Sequence, residues 1–252
     1  MVKHVLKIKN FVFKISPFLK KYIAYNRFRR DKWIAKESIK IDNNSNVLDI
    51  GAGGCPYRSN FNHTNYKTHD FVQLNPNQIQ QLGYGKIDYV SDILEIPVDN
   101  ASFDAVICTE VIEHVPYPIE VIKEISRLLK KNGVLLITAP LQSGLHQEPF
   151  HFYGGFTKYW YSKFLTENGF KIIEIIPNGS IFTTLISNLF TLVKQCFEYL
   201  IQGKLFIKLV SFLLLIFLLP LSLMLLIPLH ICENLFQDYG FTAGYHVKAI
   251  KI

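Results

Sequence analysis

The run Asn46-Val47-Leu48-Asp49-Ile50 passes straight into Gly51-Ala52-Gly53-Gly54-Cys55. A short apolar strand that ends in a glycine turn narrows the possible folds more than any other stretch of this chain. Glycine has no Cβ, so at positions 51 and 53 the backbone can turn tightly and a ligand can approach it closely. Twenty-one residues after Asp49, Asp70 stands near the end of a second strand candidate, 66–71. An acid there can accept hydrogen bonds from both hydroxyls of a ribose. Further strand candidates cover 88–90, 103–108 and 133–139. Two of them, around Ala105-Val106-Ile107-Cys108 and Val134-Leu135-Leu136-Ile137, are apolar almost throughout, as strands covered on both faces are. The spacing of Ile119, Ile122 and Leu129 predicts a helix over 118–131, with Asn132-Gly133 as its stop. A helix joining two buried strands requires a right-handed crossover, and so a parallel sheet.

The length of 252 residues suits one α/β domain with additions, and 49% hydrophobic residues exclude global disorder. Cys55, Cys108, Cys196 and Cys232 lie apart with no C-x-x-C spacing. No disulfide framework or metal site is expected from them, and no metal-ligand spacing is visible elsewhere. Charge divides the chain. Residues 1–40 hold twelve Lys/Arg against Asp31 and Glu37, a local charge of +10, so the remainder carries −3 of the net +7. Lysines interrupt the apolar positions at the N-terminus and no signal-peptide pattern follows, which favours a cytoplasmic setting. Four segments are expected: a basic amphipathic arm at 1–40, an α/β core at 41–177, a Leu/Ile/Phe-rich insert at 178–237, and a final strand within 238–252.

Beyond the glycine turn the order of signals is specific. Ser91-Asp92-Ile93 follows the third strand candidate. Phe103-Asp104 opens the fourth, which runs on into Glu110-Val111-Ile112-Glu113-His114-Val115. Leu129-Lys130-Lys131-Asn132-Gly133-Val134-Leu135 opens the fifth. Over roughly residues 44–177 this series resembles the class I methyltransferases that use S-adenosylmethionine (SAM). The resemblance implies a Rossmann-like, seven-stranded, mostly parallel sheet with an antiparallel last strand. It implies SAM as cofactor, with Asp49, Gly51 and Gly53 framing its methionine part. By the same likeness Asp70 holds the ribose, Asp92 accepts from the adenine amino group and Ile93 packs on the ring. Glu110 falls near the methyl-transfer mouth. Cys55 departs from the pattern, standing where the family often has a third glycine.

A narrower likeness rests on Gly51–Arg58 and on His146-Gln147-Glu148-Pro149-Phe150-His151-Phe152-Tyr153 with Phe156-Thr157. These are similar to a methyltransferase subgroup often encoded with bacterial surface-polysaccharide genes. The second motif follows the fifth strand, where acceptor-facing loops gather. His146 or His151 can serve as the base that removes a hydroxyl proton, or both can pin the loop. His114 reads as a helix-start or packing residue.

Residues 209–229 contain no charge and reach the ~20 residues a membrane span needs. A less extended uncharged stretch covers 181–193. Strands expected at 170–176 and 245–251 pair in one sheet, so the chain between them crosses a bilayer an even number of times or not at all. The expectation is monotopic or peripheral docking at the cytoplasmic face of a membrane, aided by the basic arm; an internal helical cap is the alternative. Phe11, Phe13, Ile15, Phe18, Leu19, Tyr22 and Ile23 interleave with the arm's charges, which favours a lipid surface over nucleic acid. The acceptor is expected to be a small molecule or a lipid-linked saccharide, with a quinone or other lipid as the alternative. A nicotinamide oxidoreductase fits poorly, because Pro56 stands where its last glycine would fall. A non-catalytic, membrane-anchored scaffold of the same fold is a further alternative.

Overall fold

The computed structural model describes residues 24–252 apart from 76–77, 80–82 and 236–239. Most of the expected amphipathic arm therefore lies outside the described residues. From Tyr25 onward the chain forms helix α1 (Tyr25–Ser38). The chain divides into two compact units, one of residues 30–178 with 243–252, the other of 179–242 with the described residues before Arg30.

The larger unit is built on seven strands: β1 (Asn46–Ile50), β2 (Asn65–Asp70), β3 (Tyr89–Val90), β4 (Phe103–Thr109), β5 (Leu129–Pro140), β6 (Phe170–Pro177) and β7 (Gly244–Lys251). They lie in the order β3-β2-β1-β4-β5-β7-β6. Neighbours from β3 to β5 run parallel, and β7 is antiparallel to both β5 and β6. This is the expected Rossmann-like arrangement with an antiparallel last strand.

Alternation along the central strands builds a core on each face of the sheet. Leu48, Ile50, Val106, Cys108, Leu135 and Ile137 face one side. There they meet Val121, Ile122, Ile125 and Leu128 of helix α2 (Pro118–Leu128), and Tyr161 and Leu165 of helix α3 (Lys158–Glu167). Val47, Ala105, Ile107 and Leu136 face the other side, against Trp33 and Ile34 of α1. Each such fully buried aliphatic side chain contributes about 1.5–3 kcal/mol. Because Trp33 and Ile34 are core residues, the segment from Arg30 belongs with the sheet, not with an arm.

Helix α2 ends at Leu128, three residues before the expected Lys131. Leu129 is fully buried and pairs with Phe103 in the sheet, so its burial draws the chain out of the helix. Lys130 then bonds the Asp104 carboxylate at 2.8 Å.

The smaller unit holds helix α4 (Ile181–Gln202) and helix α5 (Leu205–Leu235), which continues through Pro220 and Pro228. Val193 and Cys196 pack against Leu215 between them. Glu233 is buried, and its carboxylate accepts from Arg29 Nη1 (3.0 Å), Ser180 N (3.1 Å), and the hydroxyls of Ser180 and Thr183 (both 2.5 Å). It thereby satisfies an otherwise orphan donor at the start of α4. Among the described residues one helix, over Leu205–Glu233, is long and apolar enough to cross a membrane, with a mean hydropathy of 2.9.

A buried carboxylate also joins α1 to the sheet. Glu37 accepts from Lys248 of β7 at 2.7 Å and from Lys40 at 2.5 Å. Burial alone would raise its pKa, but the two ammonium groups outweigh burial and hold it below the ordinary carboxylate value. A lowered folded-state pKa means that the stabilisation is complete above the usual carboxylate range and fades as pH falls through the lowered value. Glu37→Gln is expected to cost about 1.5–3 kcal/mol at neutral pH and to flatten the acid limb of stability. Chemical denaturation at pH 7 and at pH 3 measures both effects.

Candidate functional site

The carboxyl ends of β2, β1 and β4 open side by side, and the glycine turn leaves β1 at the middle of them. Gly51 and Gly53 have φ of +67° and +51°. A Cβ on Gly51 would lie 2.4 Å from a methyl of Val111, whereas one on Gly53 would meet, among the described residues, nothing nearer than Ile79 at 3.8 Å. Gly51 thus serves close packing, and Gly53 leaves open room beside the backbone. The Gly53 N–H donates to Asp70 Oδ2 at 2.9 Å, and Val72 N–H donates to Oδ1 at 3.0 Å. Asp70 is therefore clamped at the mouth of the turn.

Asp49 is buried, on the same face as Val47. It accepts a hydrogen bond from Tyr66, whose strand register sets it diagonally opposite. Burial pushes the Asp49 carboxyl up to about 7; Tyr66 opposes this, Asp70 adds to it, and Arg58 opposes it again. Asp92 is exposed just past β3, accepting from Leu94 N–H at 2.9 Å, and Ile93 packs half-buried against the core. The structure thus brings Asp70 and the two glycines together at the mouth of the turn, with Asp49 buried just before it on the Val47 face of β1. Asp92 lies at the end of the next strand outward.

Glu110 follows β4 with φ of +54°. Its carboxylate accepts from Thr138 Oγ1 at 2.8 Å and lies 3.6 Å from Arg30 Nη1. Arg30 is buried and donates to Tyr57, whose hydroxyl in turn donates to Asp31. The contacts of Arg30, Tyr57, Tyr66 and Thr138 are not legible in the sequence. Each makes its contact only through neighbouring strands or α1, so spacing along the chain carries no sign of it.

His114 belongs to a single 3-10 turn, Ile112–His114, so it starts no regular helix. Its ring centroid lies 4.7 Å from that of His146 and 5.6 Å from that of His151, and the latter two are 4.5 Å apart. The loop carrying His146 and His151 is tied to the end of β4, because Phe152 N–H and Tyr153 N–H both donate to the Glu113 carbonyl. Burial, with His146 and His151 nearby, lowers the His114 pKa to about 4. Burial and His146 lower that of His151 as well. The His151 Nε2 pairs with Ser143 Oγ at 3.0 Å. A neutral imidazole beside a cleft can take a proton. Glu113 is almost fully buried; burial first and the Glu110 carboxylate second raise its pKa well above normal.

The model of the methyltransferase domain family matches residues 22–173. An uncharacterized protein of Methanocaldococcus jannaschii, MJ0638, is 27% identical over 135 residues, 53% of this chain. The matched part spans 59% of that relative's length. Three solved structures are similar in fold. The cyclase SpnF aligns at 14% identity, with 88% of this chain and 80% of that one covered and a TM-score of 0.55. A Galdieria sulphuraria protein described as a sarcosine dimethylglycine methyltransferase aligns at 16% identity, covering 89% and 86%, with a TM-score of 0.54. Phosphoethanolamine N-methyltransferase 2 of Haemonchus contortus, solved with SAM, aligns at 18% identity, covering 88% and 52%, with a TM-score of 0.52.

The two glycines are expected to fail differently. Gly51→Ala is expected to lower stability by about 2–4 kcal/mol, from overpacking and left-handed strain together. Gly53→Ala is expected to cost only about 1–2 kcal/mol yet to weaken adenosyl-ligand binding at least as much. Thermal unfolding and ligand titration of both variants separate packing from access.

Proposed function

The chain belongs to the methyltransferase domain family, and from that premise we propose that it transfers a methyl group from SAM to an acceptor at the cytoplasmic face of a membrane. The observation that carries this reading is the room left over Gly53 by the described residues, beside a clamped Asp70, because a Cβ would enter the space an extended adenosyl ligand needs. The fold by itself does not choose the chemistry, since it also serves the cyclase SpnF.

In this reading Asp49, Gly51 and Gly53 receive the methionine part, Asp70 the ribose, Asp92 the adenine amino group, and Ile93 the ring. When bound, the sulfonium supplies an already activated methyl group. The protein's task is alignment, and proximity can contribute on the order of 7–11 kcal/mol. Glu110 borders the acceptor mouth, where its bonds to Thr138 and Arg30 fix its direction. His146 or His151 takes the acceptor's proton.

Helix α5 supports the membrane part of the proposal. Phe212, Leu213, Ile216, Phe217, Met224 and Ile227 are each at least half exposed, far more apolar surface than a water-facing helix carries. Strands β6 and β7 pair antiparallel, so the insert starts and ends at neighbouring strand ends. A shallow α4–α5 hairpin in the interface, or a two-pass hairpin, meets that condition. A lipid-linked saccharide is the acceptor that suits both this insert and the motif around His146 and His151; a quinone or other lipid is the second reading.

Two measurements test the proposal. Isothermal titration is expected to show SAM binding that tightens as pH rises through about 7, because the ionised Asp49 attracts the ligand's ammonium group. Tyr66→Phe, which removes a bond favouring the anion, is expected to move that rise to higher pH. No measurable SAM affinity at any pH sinks the reading. In detergent-free fractionation the full chain is expected to travel with membranes, and tritiated SAM to label a lipid-linked sugar fraction, with Asp49→Ala inactive. Label in the quinone fraction would replace the acceptor, and a fully soluble chain would remove the membrane.

A further inference from the structure

Glu113, His114 and His146 each present one ligand atom, and these atoms all lie within 4.8 Å of one another. The three residues come from two separate places in the chain, the end of β4 and the loop after β5, which sequence spacing could not connect. We propose that they bind a single divalent transition-metal ion of zinc-like character, with its outward side open to solvent.

Hydrogen bonding presents the histidines for this. The His114 Nδ1 lies 2.6 Å from the Phe150 carbonyl, and the His146 Nδ1 lies 2.9 Å from the Gly144 carbonyl. A carbonyl oxygen can only accept, so each Nδ1 carries the proton. That leaves the lone pair of each ring on Nε2. A backbone carbonyl on one ring nitrogen is how proteins orient a histidine whose other nitrogen binds metal. The His114 Nε2 is 3.7 Å from Glu113 Oε1, near the separation of about 3.3 Å that ligand atoms keep in a tetrahedral shell of metal bonds close to 2.0–2.1 Å.

Glu113 supplies an independent reason. It is 1% exposed, and its Oε2 has no hydrogen-bond partner among the described residues. Burial of this carboxyl with one oxygen unpartnered is costly for its charged form, and a cation bound through Oε1 would offset that cost. Imidazole and carboxylate together suit zinc or its neighbours in the first transition row better than magnesium or calcium. His146 lies on an exposed stretch of loop, so modest rotation of its ring closes the remaining distance. His151 remains outside the ligand set, bonded to Ser143, with its ring beside that of His146. The open side of the ion faces the loop where an acceptor enters. There the ion holds an acceptor oxygen as a Lewis acid, next to a base. That last role rests on the methyl-transfer reading; binding of the ion does not.

The test is titration of the metal-stripped, tag-free full chain in detergent micelles with Co²⁺, followed in the visible region. One equivalent is expected to bind with the intense absorption of a four- or five-coordinate site, and Zn²⁺ is expected to displace it. His146→Ala, at an exposed position, is expected to weaken binding by about tenfold or more, and His114→Asn similarly. His63→Ala, away from the cluster, is expected to leave it unchanged. Absence of a stoichiometric visible band, or a His146→Ala variant that binds Co²⁺ as well as the parent, overturns the proposal and leaves the histidines as loop pins. SAM titration of the same parent sample is scored separately, so failure of the metal site and failure of the donor site are distinguishable.

Discussion

The hydrogen bond from Gly53 N–H to the Asp70 carboxylate joins the turn after β1 to the end of β2. It requires that the two strands run parallel and end together, and that no side chain at 53 intervenes. Parallel strands end together only when helices cross over the sheet and both faces are buried. The two apolar cores flanking β1, β4 and β5 meet that condition. The cradle is thus a consequence of the sheet, with one acidic residue placed where its carboxylate fixes the turn.

Four of the seven described non-glycine residues with positive φ lie at the same edge. Cys55, Val72, Glu110 and Gln147 all adopt positive φ without being glycine. For a β-branched residue such as Val72 this conformation is an outlier. It persists because the Val72 N–H is tied to Asp70 and the strand beneath is locked in its register. Cys55, where the family often has glycine, takes φ of +54° and places its Sγ 3.5 Å from the Lys86 carbonyl. The departure in sequence therefore leaves the left-handed turn in place. Such strain is stored where the surrounding structure over-determines the chain, and functional edges are where it concentrates.

Electrostatics separates the acids that the sequence presents as equivalents. Asp49 is buried among core residues with one hydroxyl for company, and its carboxyl is pushed up to about 7. Asp70 is clamped by two backbone donors, and Asp92 stands in solvent. Glu110 pairs with a buried guanidinium while Glu113, three residues on, is enclosed with one oxygen lacking a hydrogen-bond partner among the described residues. One short segment thus offers an oriented acid at one end and a deeply buried carboxyl group at the other.

Much of this was legible in the residues. The apolar runs, the glycine turn and the acid twenty-one residues later report local requirements: buried strands need continuous apolar side chains, and a tight approach needs the absence of Cβ. Such requirements are met within a few neighbours, so the chain order displays them, and it placed the strands and the insert between the last two. The end of α2 was misjudged because Leu129 obeys a pairing with Phe103 rather than a local stop signal. The partnership of Tyr66 with Asp49, the ion pair of Arg30 with Glu110, and the gathering of His114 with His146 and His151 were beyond reach for the same reason. Each depends on which strand ends lie side by side. That is decided when the sheet closes and brings distant segments within hydrogen-bonding distance.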